Sequence, residues 1–291
     1  MTASARYEIE HVTRYRYTSR VRDSVMALCL KPRGGGAQRL LRFELSSDPP
    51  GPVTESRDPF GNARHLLTVH REHEALAITV RSEVELSPPP PLPAALAPDA
   101  WEEMRPWAES FTDWEFTHAS AFARPSPVLE SFARREGLAE PTGDPLSALS
   151  ALAGALHRAF RYLPGSTSAI SPIEHVLESG VGVCQDYAHV MITIARAWGV
   201  PSRYVSGYLH AADPPDQPTH AEAGHAWVEC RLPGLGWVAF DPTNPGLPRE
   251  RYVRVAVGRD YGDVSPARGI FRGWAGAELA VEVSVTPRPA V

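Results

Sequence analysis

The stretch GVGVCQDYAHVMITIARAWGVP, residues 180–201, decides the fold class of this chain. Apolar residues recur in it at helical spacing up to Trp198, which predicts an α-helix. Gly199 is suited to end this helix in a left-handed conformation, and Pro201 prevents its continuation. Because glycines also precede the helix, Cys184 is predicted to lie in its first turn, directly after a glycine-bearing loop.

The predicted position of Cys184 has a chemical consequence. The first backbone N–H groups of a helix are unpaired and the helix dipole is positive there, so a thiolate is stabilised and its pKa falls. The same N–H groups can bind the oxyanion of a tetrahedral intermediate. The alternative is that Cys184 is a small buried apolar residue, as most free cysteines are. His189 follows five residues later and is therefore predicted to face away from Cys184.

A β-hairpin is predicted at residues 225–241. In HAWVECRL, residues 225–232, His225 and Trp227 share one face of the strand, whereas Cys230 lies on the other face and points towards the core. A Pro-Gly-Leu-Gly turn leads into a second strand, which ends at Asp241. An imidazole and a carboxylate are thus predicted at the same end of one hairpin.

The loop length of this hairpin decides whether His225 and Asp241 can meet, because a slip of one residue moves every side chain to the other face. A four-residue loop would place the two on opposite faces. A three- or five-residue loop would pair Trp227 with Asp241 and put the carboxylate diagonal to His225, at a Cβ separation of about 7–8 Å. The sequence leaves the loop length open, and a catalytic pair requires the odd one.

Three segments are predicted along the chain. Residues 1–86 carry strand patterns separated by turns and are predicted to form an antiparallel β domain, most economically a sandwich. Residues 87–98 are rich in proline and form either a stiff linker or a crossing over the surface of one continuous domain. Residues 99–291 are predicted to form a second domain, with helices first, one of them capped by Ser171, and strands after residue 200.

Composition and charge limit the possible partners. The net charge is −5 and no block of lysine or arginine is present, which argues against nucleic acid as a partner. Three cysteines are too few for a disulfide framework and indicate a reducing compartment. The start of the chain lacks the apolar core of a signal peptide, and no apolar run is long enough to span a membrane. A cytoplasmic protein without a membrane partner is expected.

The other histidines do not suggest a metal site. His65, His70 and His73 lie in a strand-rich stretch, at a spacing that does not match zinc ligands. His210 and His220 flank a loop rich in proline and aspartate, where exposure to solvent is expected. We therefore predict no metal and no other cofactor.

Taken together, the motifs resemble the transglutaminase-like superfamily, and in particular its bacterial branch. Cys184, His225 and Asp241 follow in that order, and their surroundings match as well: Cys-Gln-Asp at the helix start, RYVSGY after the helix, HAWVE and FDPTN. Residues 163–275 are the most specific part, and the strand-rich start resembles the N-terminal region of the same branch. The resemblance therefore covers nearly the whole chain.

The resemblance implies an α+β fold with a papain-like core, in which the cysteine helix packs on an antiparallel sheet. It also implies that Cys184 is the nucleophile, His225 the base and Asp241 the carboxylate that orients this base. The supporting residues expected beside the site are Gln185, Asp186 and Trp227.

The resemblance leaves the reaction open, because the superfamily contains cross-linking enzymes, peptidases, amidases and members without catalysis. We expect a cysteine enzyme that acts on amide bonds of peptides or proteins through a thioester, with hydrolysis ranked ahead of transfer to an amine. The alternative is a catalytically silent module that binds peptides in the same groove. The sequence identifies neither the second oxyanion donor nor the oligomeric state.

Overall fold

The chain begins with five antiparallel strands in the computed structural model, which describes residues 4–211, 224–246 and 249–289. Most of them alternate between more and less buried side chains, as strands with one face on a core do, whereas β3 is exposed throughout. The N-terminal antiparallel β region predicted from the sequence is thereby confirmed. The strands are β1 (Ala5–Leu28), β2 (Gln38–Asp48), β3 (Val53–Arg57), β4 (Ala63–Val69) and β5 (His73–Leu86).

The long strand β1 organises this region because it takes part in two halves of one sheet. Its first half pairs with β5, which pairs in turn with β2. Its second half pairs with β4, which pairs with β3. A shift of register between Arg16 and Val21 separates the two halves. The halves enclose a core of their own, formed by Tyr17, Val21, Met26, Leu28, Leu30, Leu67, Val69, Leu76, Ile78 and Val80.

Helices dominate the middle of the chain, and their caps are local. Asp144 caps α4, since its Oδ1 accepts the N–H of Leu146 at 3.1 Å. The predicted cap Ser171 of α5 is wrong: its hydroxyl instead accepts the N–H of Ser168 at 2.9 Å, and Pro172 is the cap residue. The helices are α1 (Ala100–Met104), α2 (Trp114–Thr117), α3 (Pro127–Arg135), α4 (Pro145–Ala159), α5 (Ile173–Ser179), α6 (Cys184–Ala197) and α7 (Tyr261–Val264).

A second antiparallel sheet supports α6. Its strands are β8 (Ser202–Leu209), β9 (Gly224–Leu232), β10 (Gly236–Phe240) and β11 (Tyr252–Gly258), in the order β10-β9-β8-β11. A short parallel pair, β6 (Arg161–Tyr162) and β7 (Val181–Gly182), leads into the helix. Because α6 packs against β8 and β9 on one side and against α4 and α5 on another, it is buried nearly all round. The α+β, papain-like core predicted from the sequence is confirmed.

The end of the described chain returns to the first sheet. Strand β12 (Ala267–Arg272) pairs with the second half of β1, and β13 (Ala277–Arg288) pairs with its first half. Both strands lie within the segment 99–291, which the sequence predicts to form a second domain. The pairing places them in the N-terminal sheet instead, because β1 offers each of them an edge that β4 and β5 leave open.

The two parts of the molecule are joined by a shared core and by backbone hydrogen bonds. Tyr7 and Ile9 of β1 belong to the same apolar cluster as the residues of α6 and β9. The side chain of Asn62 bonds both the N–H and the C=O of Val257, at 2.9 and 2.7 Å. The proline-rich segment 87–98 thus joins parts that are packed together. Among the described residues no helix is both long and apolar enough to cross a membrane.

Candidate active site

Cys184 is the first residue of α6, as the sequence predicts. The residue before it, Val183, is extended (φ −120°, ψ 176°), and its N–H donates to Oδ2 of Asp186 at 2.8 Å. Hydrogen bonds within the helix begin at the N–H of Asp186, which donates to the C=O of Val183 at 2.9 Å. The N–H groups of Cys184 and Gln185 come before that point and lie at the positive end of the helix dipole. The half-buried thiol therefore lies beside backbone N–H groups that have no partner within the helix.

The β9–β10 hairpin closes with a three-residue loop. Leu232 pairs with Gly236, so residues 233–235 form the loop, and the last pair of the ladder is Val228 with Phe240. The next pair in this register is Trp227 with Asp241, which puts the carboxylate on the face that carries His225. The odd loop length that a His–Asp pair requires is thus confirmed.

His225 and Asp241 form a buried hydrogen-bonded pair. Nε2 of His225 lies 2.7 Å from Oδ2 of Asp241, and the two side chains are only 4% and 6% exposed. Asp241 occupies Nε2, and the Cys184 thiol lies near enough to the imidazole to raise the pKa of His225. Nδ1 is the ring nitrogen that remains for this thiol. The structure therefore brings the three predicted residues into one cluster.

The electrostatics of the cluster favour an imidazolium. Burial alone would lower the pKa of His225, but the hydrogen bonds to Asp241 and Cys184 outweigh it and raise this pKa to about 10. Burial would raise the pKa of Asp241, yet the hydrogen bond and positive charge of His225 hold it far below its usual value. A carboxylate that stays ionised beside an imidazolium is the arrangement that stabilises a neighbouring thiolate.

Trp227 covers the pair, as predicted. It is 2% exposed, and its ring is stacked on His225 with the centroids 6.2 Å apart and an interplanar angle of 23°. Gly207 makes room for this indole: a Cβ at that position would lie 2.6 Å from the ring and 2.1 Å from the carbonyl oxygen of Val253. The RYVSGY motif thus contributes a glycine over which the indole can lie.

Gln185 and Asp186 lie beside Cys184, as expected, but they contact a neighbouring loop. Nε2 of Gln185 donates to the C=O of Ala169 at 3.1 Å, and the hydroxyl of Thr167 donates to Oδ2 of Asp186 at 2.6 Å. Burial raises the pKa of Asp186, and the hydrogen bonds from Thr167 and from the N–H of Val183 oppose the rise. Both residues therefore fix the residues before the helix, and neither has a hydrogen bond to His225 or Asp241 among the described residues.

Sequence reasoning missed two partners of Asp241. The hydroxyl of Tyr252 donates to Oδ2 at 2.8 Å, and Nδ2 of Asn244 donates to the same oxygen at 3.1 Å. The N–H of Thr243 donates to Oδ1 at 2.8 Å. The FDPTN motif contains Asn244 and was a usable signal for it. Tyr252 begins a separate strand and has no local signal.

Two of the other histidines, His189 and His210, are buried. His189 of α6 is fully buried, and its Nε2 accepts the N–H of Tyr261 at 3.1 Å, so it is a core residue. The expected exposure of His210 is wrong: it is 2% exposed, because it packs on Tyr7 of β1 with the ring centroids 5.1 Å apart. His220 lies outside the described residues. Within those residues no three His, Cys, Asp or Glu side chains are grouped as a metal site would require.

Fold and site together define a class of protein: a papain-like α+β structure with a cysteine at a helix start, facing a His–Asp pair on the adjacent sheet. A family model for the transglutaminase-like superfamily matches residues 133–242, and one for the bacterial transglutaminase-like N-terminal region matches residues 7–85. The chain belongs to the transglutaminase-like superfamily.

Similar proteins match the chain over its full length or over part of it. An uncharacterized protein of Mycobacterium tuberculosis is 36% identical over 299 aligned residues, which cover 99% of this chain and 94% of the relative. A protein-glutamine gamma-glutamyltransferase of Pseudomonas aeruginosa is 35% identical over 92 residues, 30% of this chain and 14% of that enzyme. The crystal structure of a candidate cysteine protease from Cytophaga hutchinsonii has the same fold, with a TM-score of 0.71 at 20% identity, covering 97% of this chain and 91% of that one.

Proposed function

We propose that the protein is a cysteine-dependent enzyme that cleaves or transfers amide bonds of peptides or proteins through a thioester. The observation that carries the proposal is the imidazole of His225, which a 2.7 Å hydrogen bond joins to Asp241 and whose pKa Cys184 helps to raise. A nucleophile, a base and a group that orients the base are the components of this type of catalysis.

In the first half of the reaction, His225 already holds the proton of Cys184, and the thiolate attacks the carbonyl carbon of the amide. Backbone N–H groups at the start of α6 stabilise the oxyanion. The tetrahedral intermediate collapses, the C–N bond breaks, and the imidazolium of His225 donates its proton to the leaving amine or ammonia. Asp241 stays ionised throughout and stabilises the imidazolium while it exists.

In the second half, a nucleophile resolves the thioester with His225 as general base. Water gives a carboxylic acid, the outcome of a peptidase or amidase, and an amine gives a new amide, the outcome of a transglutaminase. Either way the Cys184 thiol is regenerated. We rank hydrolysis first, and the segment that is similar to the P. aeruginosa glutamyltransferase keeps amine transfer as the direct competitor.

The test is intact mass spectrometry of the full chain after incubation with peptide libraries, with and without an added primary amine. We expect an adduct on Cys184 equal to the acyl part of the substrate, and its loss in the Cys184→Ala variant. Release of a free acid with amine present identifies a hydrolase, and release of the amine conjugate identifies a transferase.

A matched control is Cys230→Ala, because Cys230 is fully buried on the other face of β9. This variant should form the adduct at the wild-type rate. Binding of peptides by the wild-type chain with neither adduct nor product would instead support the catalytically silent peptide-binding module.

We also propose that the enzyme works in the cytoplasm. The three cysteines, Cys29, Cys184 and Cys230, are all unpaired thiols, as is usual in a reducing compartment. Fractionation of cells that produce the full-length protein tests this proposal, and recovery outside the cytoplasm would contradict it.

A further inference from the structure

Asp241 is held from several directions, and one of its partners comes from a distant strand. Its Oδ2 accepts from His225, from Asn244 and from the hydroxyl of Tyr252, the first residue of β11. In the sheet, β8 separates β11 from the strand that carries His225. The hydroxyl of Tyr252 nevertheless reaches the oxygen that bonds the imidazole.

We propose that Tyr252 is a positioning residue, which holds the Asp241 carboxylate in the orientation that His225 requires. The inference rests on the proposed function, because it assigns Tyr252 a part in the same reaction without contact to the substrate. Asn244 has a secondary part, since its Nδ2 lies 3.1 Å from Oδ2 of Asp241 and 3.5 Å from Nε2 of His225.

The location of Asp241 explains why it needs this support. Asp241 directly follows Phe240, the last residue of β10, so no pairing with another strand fixes the backbone after it. Oδ1 is fixed by the N–H of Thr243 at 2.8 Å, and rotation about this bond would swing Oδ2 away from the imidazole. The 2.8 Å bond from Tyr252 opposes that rotation. A carboxylate fixed at both oxygens keeps the base in one rotamer.

The ring of Tyr252 is itself fixed by packing. It meets the indole of Trp227 edge to face, with the centroids 5.2 Å apart, and this indole lies over Gly207 of β8. Because Gly207 has no side chain, the rings of Trp227 and Tyr252 can contact each other across β8. The titratable groups that act on the Tyr252–Asp241–His225 group are Cys184 of α6 and Arg251, next to Tyr252.

The test is the pH dependence of Cys184 alkylation by iodoacetamide, measured on the full chain by peptide mapping. Asp241→Asn removes the charge that stabilises the imidazolium, so the thiolate forms only at higher pH and the midpoint of the alkylation profile rises. Tyr252→Phe should shift the midpoint in the same direction by about 1 pH unit, and less than Asp241→Asn does. With a peptide substrate it should lower kcat about 10-fold and leave KM unchanged.

Tyr208→Phe is the matched control. Tyr208 lies on β8, is 3% exposed, and its hydroxyl is 3.1 Å from Nδ1 of another buried histidine, His11. Tyr208→Phe loses a tyrosine hydroxyl that lies beside a buried histidine, as Tyr252→Phe does. The midpoint of Cys184 alkylation in Tyr208→Phe should equal the wild-type value.

Each outcome separates the inference from the proposed function. A wild-type chain that forms no acyl adduct on Cys184 would overturn the proposed function and the inference with it. An adduct in the wild type together with an alkylation midpoint that Tyr252→Phe leaves unchanged, or lowers, would overturn the positioning role alone. An upward shift in Tyr252→Phe that Tyr208→Phe lacks supports it.

Discussion

Two buried histidines, His225 on β9 and His189 on α6, have opposite shifts in pKa. His225 has a carboxylate and a thiol as partners, and its pKa is raised to about 10. His189 is stacked on Phe122 at 5.6 Å and accepts the N–H of Tyr261 at 3.1 Å; burial lowers its pKa to about 4. Burial acts against the charged form in both cases. The partners therefore decide which histidine carries a proton at neutral pH.

The contrast predicts opposite contributions to stability against pH. The folded-state pKa of His225 is above the unfolded value of 6.5, so its contribution is fully present below pH 6.5 and is lost as the pH rises towards 10. The pKa of His189 is depressed, so the unfolded chain binds more protons between pH 4 and 6.5. Stability from this group is therefore lost as the pH falls through that range.

The largest expected effect comes from removing the charge beside His225. Asp241→Asn should lower the turnover rate by about 10²–10⁴-fold, because the imidazole loses the group that orients it and stabilises its charge. Steady-state rates on the best peptide substrate measure this loss. Asp260→Asn is the control on the His189 side: Asp260 is 3% exposed and accepts backbone N–H groups, so its loss should reduce stability and spare turnover. Near-wild-type turnover of Asp241→Asn would make this carboxylate structural.

The comparison extends to the cysteines. Cys184 should be alkylated by iodoacetamide at pH 7 at least about 100-fold faster than Cys29 or Cys230. Burial raises the pKa of Cys29 to about 11 and that of Cys230 to about 12, so almost no thiolate exists at either site. Peptide mapping after limited labelling gives the rates. Faster labelling of Cys29 or Cys230 would contradict the assignment of Cys184.

The indole of Trp227 covers the His225–Asp241 pair, and Gly207 leaves the space that this indole occupies. Gly207→Ala should destabilise the fold by about 3 kcal/mol, since the added methyl group meets backbone and the Trp227 ring. It should also lower activity, because a displaced indole opens the His–Asp pair to water. Urea unfolding and turnover measure the two effects. Gly34→Ala, where nothing lies within 4 Å of the added carbon, should change neither; equal stability of the two variants would show that the packing at Gly207 can relax.

The smallest expected effect concerns His189. Between pH 7 and pH 5 the wild-type chain should lose about 2 kcal/mol of unfolding free energy through this residue, and His189→Leu should lose correspondingly less. Urea unfolding at the two pH values gives the difference. His70→Leu is the control because the His70 side chain is 72% exposed. Equal losses in wild type and His189→Leu would mean that His189 is protonated in the folded state.

The residues that sequence reasoning located correctly are those whose geometry is set by near neighbours in the chain. The position of Cys184 follows from the glycine loop and helix pattern around it. The His225–Asp241 pair follows from one hairpin, and only its loop length had to come from the structure. In both cases the decisive contacts join residues within one supersecondary unit.

The features that were missed depend on contacts between distant parts of the chain. His210 is buried by Tyr7, which precedes it by most of the chain length, and Tyr252 of β11 reaches Asp241 at the end of β10 although β8 and β9 lie between these strands. The return of β12 and β13 to β1 also has no local signal, because their alternating patterns fit any sheet with an open edge. Periodicity shows which face of a strand is buried, and it does not show which strand lies beside it.

The return of β13 to β1 also sets the order in which this protein can be completed during synthesis. β1 is made before its four partner strands, and two of them are made only after the whole α+β core. Until then both halves of β1 keep an edge that can pair with another chain. Long-range pairing of this kind is slow and exposed to misassociation. The nascent chain can therefore assemble its cysteine site before β1 has paired with β13.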